Sequence, residues 1–362
     1  MACFYPLKGF PIGVHPSGKT AYKITSYDVN GVYTFGPDLP WYCTSESVAP
    51  PGSFRFVCDS TPIACGKCVG CRLDYSRQWA NRCMLELDYH DSAYFVTLTY
   101  NDFSVPKSFY PDPDTGEAQQ SLTLCKRDWQ LFMKRLRKQH PDDNIRFFMC
   151  GEYGPSTFRP HYHAIIFGLH LNDLVPWSKS SLGYQYYLSP SLSRAWSSRG
   201  SARDLFGEEF STPLAELGHV LVGEVTWDTC AYTARYIMKK LKGPEAQFYS
   251  DFNLVPPFVL MSRRPGIARQ YFDDHPDIYE YDFINIKTEK GGRKVRPPRY
   301  YDQLFDLQQP ERMAEIKLTR QKMAEAVQRL KLSRTTLPYL QYLDVEEQNL
   351  VSRISTLQRK EF

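Results

Sequence analysis

Three groups of residues have types and spacings suited to chemistry. His161 and His163 open the run Arg159-Pro-His-Tyr-His-Ala-Ile-Ile-Phe167. Side chains of a strand alternate with a period of two, so both imidazoles share one face and present ligand nitrogens together. An isolated His-x-His is more often a pair of ordinary histidines beside a core strand, so the neighbours decide. Glu152 ends the preceding apolar run, Asn144 to Glu152, and a turn through residues 151–160 brings its carboxylate towards the two imidazoles. Two imidazoles and a carboxylate make a mixed donor set for a divalent metal.

The second group is Tyr232, Tyr236 and Lys239, spaced i, i+4 and i+7. On a helix read from Cys230 to about Leu241, with Asp228 or Thr229 as its cap, they share a face. Two core tyrosines and a snorkelling lysine would look the same. The third is Cys65-Gly-Lys-Cys68-Val-Gly-Cys71. Gaps of two residues let thiolates converge on one ion, so these three, with a fourth ligand from Cys58, Cys83 or Cys3, fit a structural Zn²⁺ site. Cys58, upstream of the run, is carried forward as that ligand. Free buried thiols and a transient redox pair are the alternatives.

The elements that must position these groups follow from periodicity. Ala93–Tyr100 is β-branched and aromatic and reads as a strand, as do the Glu152 and histidine runs and residues 219–227. Residues 126–138 form an amphipathic helix with Trp129, Phe132, Met133 and Leu136 on one side and six basic residues against one Asp elsewhere. Residues 74–88 read as a helix with Tyr75, Trp79, Cys83 and Leu87 as a buried stripe and Arg72, Arg77 and Arg82 for phosphate contacts. Residues 1–55 suggest short strands and loops, residues 101–121 a polar loop, and residues 169–217 an insertion with one or two short helices. Arg263 and Arg264 sit in a basic turn. Residues 287–299, with Arg293, Lys294 and Arg296, carry six Lys or Arg against one Glu and suit an exposed loop tracking a phosphate backbone. Two helices close the chain. The first, starting at Pro310, has a seam of Met313, Ile316, Met323, Val327 and Leu330; the second has Leu343, Leu350, Ile354 and Leu357.

A chain of 362 residues can bury a substantial core. We divide it into a Cys-rich region at 1–90, a core at 91–260 and a region of basic loop and helices at 261–362. The fold class is α+β, a mainly antiparallel sheet with packed helices. No apolar run is long enough to span a membrane and no signal peptide is indicated. The net charge of +4 is mild, and 25 Tyr and 22 Phe suit base stacking as well as plain core. Ten cysteines without an export signal favour reduced thiols or metal over a disulfide frame.

In this order the motifs resemble the HUH endonuclease superfamily. More closely, Cys65-Gly-Lys-Cys-Val-Gly-Cys-Arg, Ser76-Arg-Gln-Trp-Ala, Phe95-Val-Thr-Leu-Thr-Tyr, Gly151-Glu-Tyr-Gly, Arg159-Pro-His-Tyr-His and Tyr232-x-x-x-Tyr236-x-x-Lys239 are similar to replication initiators of microviruses of the gokushovirus group. The similarity runs from about Cys58 to Gly266. It implies a rolling-circle initiator that nicks single-stranded or melted origin DNA, leaves a 5′-phosphotyrosine and a free 3′-hydroxyl, and later rejoins the strand. It also implies Mn²⁺ or Mg²⁺ held by His161, His163 and Glu152, and Tyr236 and Tyr232 as alternating nucleophiles with Lys239 beside them. Lys240 is the fallback for the lysine. Arg159, Lys240, Arg263, Arg264, Arg293, Lys294 and Arg296 are assigned to DNA. No built-in helicase is expected, so host helicase and polymerase would be partners in the bacterial cytoplasm. Two other readings stay open: a non-catalytic zinc-containing protein that binds single-stranded nucleic acid, and a relaxase or transposase with the same site.

Overall fold

The computed structural model describes residues 3–15, 20–35, 41–43, 54–180, 183–203, 209–235, 243–288 and 291–356. They form two compact units. One joins the residues up to Asp74 with Ala314–Arg359, and the other is Tyr75–Met313. These boundaries fall at 74/75 and 313/314, where the sequence suggests breaks near 90 and 260.

The larger unit is built on a seven-stranded sheet. Its strands are β1 (Ala93–Thr99), β2 (Arg146–Tyr153), β3 (Pro160–Phe167), β4 (Val175–Lys179), β5 (Gln185–Leu188), β6 (Val220–Gly223) and β7 (Phe258–Met261), in the order β4-β5-β6-β1-β3-β2-β7. All neighbours are antiparallel. The histidine strand β3 lies between β1 and β2, and six of its eight residues have no more than 2% of their surface exposed. A strand covered on both faces reads as a nearly continuous apolar run, as Ala164–Phe167 does. Beyond it Gly168 takes φ +64 and passes under the Asn144 carbonyl, 2.7 Å from where a Cβ would stand.

One face of the sheet packs on α2 (Lys126–Gln139). Val96, Leu98, Met149, Tyr162, Ala164 and Ile166 share a core with Trp129, Phe132, Met133 and Leu136, the apolar stripe of that helix, and with Trp196. At about 1.5–3 kcal/mol per fully buried large side chain, this stripe holds the helix down. Asp128 in its first turn and Arg137 and Lys138 in its last complement the helix dipole.

The other face carries α1 (Val69–Leu87), whose Trp79 stacks on Phe148 at 4.7 Å, and α3 (Trp227–Arg235). Ser76 Oγ donates to the Ala231 carbonyl at 2.8 Å and Trp227 Nε1 to Asn81 Oδ1 at 3.0 Å, tying the two helices together. The buried stripe of α1 includes Ser76, Trp79, Ala80, Cys83, Leu85 and Glu86, whereas Tyr75 is exposed and Leu87 half-buried.

Three segments differ from the sequence reading. Residues 169–217 are not mainly helical: β4 and β5 extend the sheet, Ser197–Arg203 pairs with Glu209–Glu216, and Pro190–Ala195 is a single short helix capped by Ser189. Residues 101–121 contain the hairpin Lys107–Pro111/Ala118–Leu122, whose turn is set by Asp112 Oδ1 accepting from the amides of Asp114 and Thr115. The basic segment is also a hairpin, Ile284–Thr288 with Gly291–Val295, and Gly291 at φ +102 supplies the turn conformation. A helix, α4 (Arg299–Gln308), follows it with Tyr301 and Phe305 buried.

In the smaller unit Leu7–Val14 pairs with Thr20–Ser26 and Thr61–Ile63, and Val32–Phe35 pairs with Trp41–Cys43 and Phe54–Val57. Phe10, Val32 and Val57 form a small core. The last helices are α5 (Pro310–Leu332) and α6 (Tyr339–Thr356). Tyr339 packs on Tyr27 at 5.4 Å, and Lys331 Nζ meets Glu346 at 2.8 Å. The α5 seam is not a buried one: Met323, Val327 and Leu330 are each more than half exposed. Leu357 lies outside the described residues.

The sequence contains one G-x-x-x-x-G-K-T spacing, Gly13 to Thr20. A phosphate-binding loop of that pattern needs a helix after it. Here the next element is the strand Thr20–Ser26, antiparallel to Leu7–Val14. Among the described residues no helix is long and apolar enough to cross a membrane.

Candidate metal and tyrosine site

The site is a consequence of register. Glu152 on β2 pairs directly with His161 on β3, and Cys150 with His163; on the other side His163 pairs with Thr97 of β1. Paired residues project to the same face. Glu152 Oε1 therefore lies 2.9 Å from His161 Nε2 and 3.2 Å from His163 Nε2. Glu152 and His163 are buried, with 1% and 2% exposure, while the His161 side chain keeps 19% open.

Both rings are oriented from behind. His161 Nδ1 lies 3.1 Å from the Arg159 carbonyl, which can only accept, so the Nδ1 hydrogen points there and Nε2 faces the carboxylate. His163 Nδ1 lies 3.0 Å from Thr97 Oγ1, and its ring lies parallel to Phe95 at 5.6 Å. Burial pushes the Glu152 carboxyl up, but the hydrogen bonds and charges of the two histidines outweigh it and hold it below its usual range.

The reverse side of β3 is anchored as well. Tyr162 OH donates to the Cys125 carbonyl and Tyr100 OH to Asp128 Oδ2, with the two hydroxyl oxygens 2.9 Å apart at the start of α2. Gly151 pairs with Tyr162, and a Cβ there would come within 3.1 Å of the tyrosine ring and of Phe258. Glycine is therefore the residue that fits beside Glu152.

Glu152, His161 and His163 form one group whose ligand atoms all lie within 4.8 Å of one another. Tyr232 on α3 stands against it, its ring 5.1 Å from that of His163 and 6.2 Å from that of Phe95. The start of α3 is a reciprocal cap: Thr226 Oγ1 accepts from Thr229 N at 3.2 Å and Thr229 Oγ1 from Thr226 N at 2.9 Å. The cap is thus Thr226 rather than Asp228 or Thr229. Tyr236, Lys239 and Lys240 lie outside the described residues.

The basic residues divide into two kinds. Arg159 donates to the Tyr100 carbonyl at 2.9 Å and pairs with Asp102 at 2.6 Å, so it braces the turn whose carbonyl orients His161. Arg263, Arg264, Arg293, Lys294 and Arg296 are exposed, with Arg293 6.0 Å over the Trp227 ring at the start of α3 and Lys294 4.3 Å over Phe283. Arg82, which the sequence assigns to phosphate, is instead sandwiched between the rings of Trp79 and Tyr300, 4.1 Å from each, and donates to the Ile267 carbonyl.

A second group consists of Cys3, Cys65, Cys68 and Cys71. Cys58 is exposed and is not in this group; Cys3 takes the place expected for it. Strand pairing explains the change, because Leu7–Val14 pairs with Thr61–Ile63 and so carries the residues just before it alongside Cys65. Cys83 is buried elsewhere, in the larger unit, with Cys230 beside it.

A family model for replication-associated proteins of the ORF2 type matches residues 93–241, the span from β1 through the tyrosine segment. The chain is 32% identical over 308 residues to the Replication-associated protein ORF2 of Spiroplasma virus 4, covering 83% of this chain and 85% of that protein. It is 28% identical over 278 residues to the Replication-associated protein VP4 of Bdellovibrio phage phiMH2K, covering 74% and 76%. To the Replication-associated protein ORF4 of Chlamydia phage 1 it is 28% identical over 184 residues, or 50% and 39%. No solved structure matches. The chain belongs to the family of microvirus replication-associated proteins.

Proposed function

We propose that this protein initiates rolling-circle replication by nicking and rejoining origin DNA through tyrosine. The observation that carries the proposal is the position of Tyr232 on α3, its ring against His163 of the Glu152–His161–His163 group. Two imidazole nitrogens and a carboxylate oxygen converging from paired strands fit a divalent metal, and Mn²⁺ or Mg²⁺ suits the mixed set. Bound there, the ion would act as a Lewis acid on the scissile phosphate.

The protein's own work is to position and to move protons. β3 and β2 hold the three donors rigid by register, and Thr97 and the Arg159 carbonyl fix the rings. A tyrosine oxygen on α3 or its continuation bonds to phosphorus in line as the P–O3′ bond breaks. The phenol gives up its proton and the departing 3′-oxygen takes one up. The product is a 5′-phosphotyrosine and a 3′-hydroxyl that primes synthesis; attack by a 3′-hydroxyl on that linkage reverses the step and joins the strand. Tyr236, one turn beyond Tyr232 in sequence, gives a second nucleophile for alternate rounds, and Lys239, with Lys240 as its fallback, would offset phosphate charge. Arg263, Arg264, Arg293, Lys294 and Arg296 would hold the DNA backbone, and host helicase and polymerase would extend the primer.

The test is covalent trapping. Protein, Mn²⁺ and single-stranded DNA carrying its origin are incubated and run on a denaturing gel, and the shifted band is mapped by peptide mass. The expected result is an adduct on Tyr232 or Tyr236 that disappears with chelator and in His161→Ala. Cleavage that persists when both tyrosines are Phe would assign the reaction to water; binding without cleavage would make the protein a non-catalytic binder.

A further inference from the structure

We propose that Cys3, Cys65, Cys68 and Cys71 hold a structural Zn²⁺ ion as four thiolates, with Cys3 as the ligand that closes the site. All four sulfurs lie within 4.8 Å of one another, and Cys65 Sγ and Cys71 Sγ are 4.0 Å apart. A tetrahedral site with Zn–S bonds of about 2.3 Å requires sulfur–sulfur edges of about 3.8 Å.

The backbone around the sulfurs treats them as acceptors. Cys3 Sγ accepts from Cys65 N at 3.2 Å, Cys65 Sγ from Lys67 N at 3.4 Å and Cys68 N at 3.3 Å, and Cys68 Sγ from Phe4 N at 3.4 Å and Cys71 N at 3.5 Å. A neutral thiol is a poor acceptor, so five amide hydrogens turned towards three sulfurs suit thiolate charge. Gly66 at φ +70 makes the turn that lets residues 67 and 68 point their amides back at Cys65. Sulfur-only ligation favours zinc over the hard divalent ions expected at the histidine site.

The arrangement fixes the N-terminal segment to residues 65–71 at a distance of 62 residues in sequence. Metal binding and folding of the smaller unit are then one equilibrium. This inference is independent of the nicking chemistry.

The full chain, purified without chelator, should carry about one zinc per molecule by elemental analysis. Exchange with Co²⁺ should give thiolate-to-cobalt charge transfer and the visible bands of a tetrahedral ion, signals that no histidine and carboxylate site produces. Cys58→Ser should keep both zinc and spectrum, whereas Cys3→Ser should lose most of the zinc and the tetrathiolate bands. If Cys3→Ser does not fold, the intensity of the wild-type cobalt charge-transfer band still counts the sulfur ligands. Zinc-free native protein without cobalt bands, iron as the resident metal, a mass lowered by disulfide formation among the four, or loss of zinc in Cys58→Ser but not Cys3→Ser would each overturn the proposal.

Discussion

Thr97 Oγ1 lies 3.0 Å from His163 Nδ1, on the residue that pairs with His163 across β1 and β3. The hydroxyl thereby directs the other ring nitrogen towards Glu152. Thr97→Val keeps the shape and removes the hydroxyl. Because such supporting contacts are typically worth ~10–100-fold in metal affinity or activity, nicking should fall by that order with little change in melting temperature. A mutant with wild-type metal dependence would show that the strand alone orients His163.

Glu86, 4% exposed, receives a hydrogen bond from Ala268 N at 2.6 Å, one from His90 and an ion pair from Arg146. Burial raises its pKa, but those bonds and the guanidinium charge prevail and hold it below the usual glutamate range. A depressed folded-state pKa contributes stability that is complete above the unfolded value and is lost as pH falls through the folded one. Urea midpoints should therefore drop steeply below about pH 4.3, the ordinary glutamate value, and Glu86→Gln should be less stable at neutral pH yet flatter with acid. Removal of the side chain in Glu86→Ala should cost about 3–5 kcal/mol, since Arg146 would remain buried without its carboxylate.

Thr226 caps α3 in a reciprocal pair with Thr229. Thr226→Ala should destabilise the protein by about 1 kcal/mol. Since α3 carries Tyr232, the same substitution should slow adduct formation more than it weakens DNA binding, measured side by side on one oligonucleotide.

Arg82 between Trp79 and Tyr300 distinguishes packing from DNA contact. Two desolvated cation–π contacts at ~0.5–2 kcal/mol each, together with a charged hydrogen bond at ~1.5–3 kcal/mol, make Arg82→Ala strongly destabilising. The salt dependence of DNA binding should stay unchanged at temperatures where the variant is folded. A shallower salt slope would return Arg82 to the phosphate backbone.

The juxtaposition of Glu152 with His161 and His163 is legible in the sequence because a strand has a fixed period and a hairpin a fixed sense: two positions define a face and a partner. Thr97 is legible in principle, as a polar residue on the histidine face of Ala93–Thr99, but its role depends on which strand lies beside β3. Cys3 is not, because spacing within Cys65–Cys71 carries no information about a sulfur 62 residues away; that requires the strand pairing of the first residues. The basic segment draws attention by its charge, although Gly291 and Gly292 between β-prone flanks already mark a hairpin. In 169–217 short strands of modest apolar content resemble helix and loop. Met323, Val327 and Leu330 warn that an apolar period sets a helix face without burying it.

The smaller unit is assembled from both ends of the chain, with Tyr27 packed on Tyr339 and Tyr5 hydrogen-bonded to Glu347. On a ribosome its two parts are separated in time. At roughly 5–20 residues per second, the stretch between residues 74 and 314 takes on the order of 12–50 s to synthesise. The sheet bearing the histidines can emerge whole during that interval, while the first strands wait for helices not yet made. A nascent chain stalled before residue 314 should therefore resist protease across 75–313 and remain cleavable in its first seventy residues.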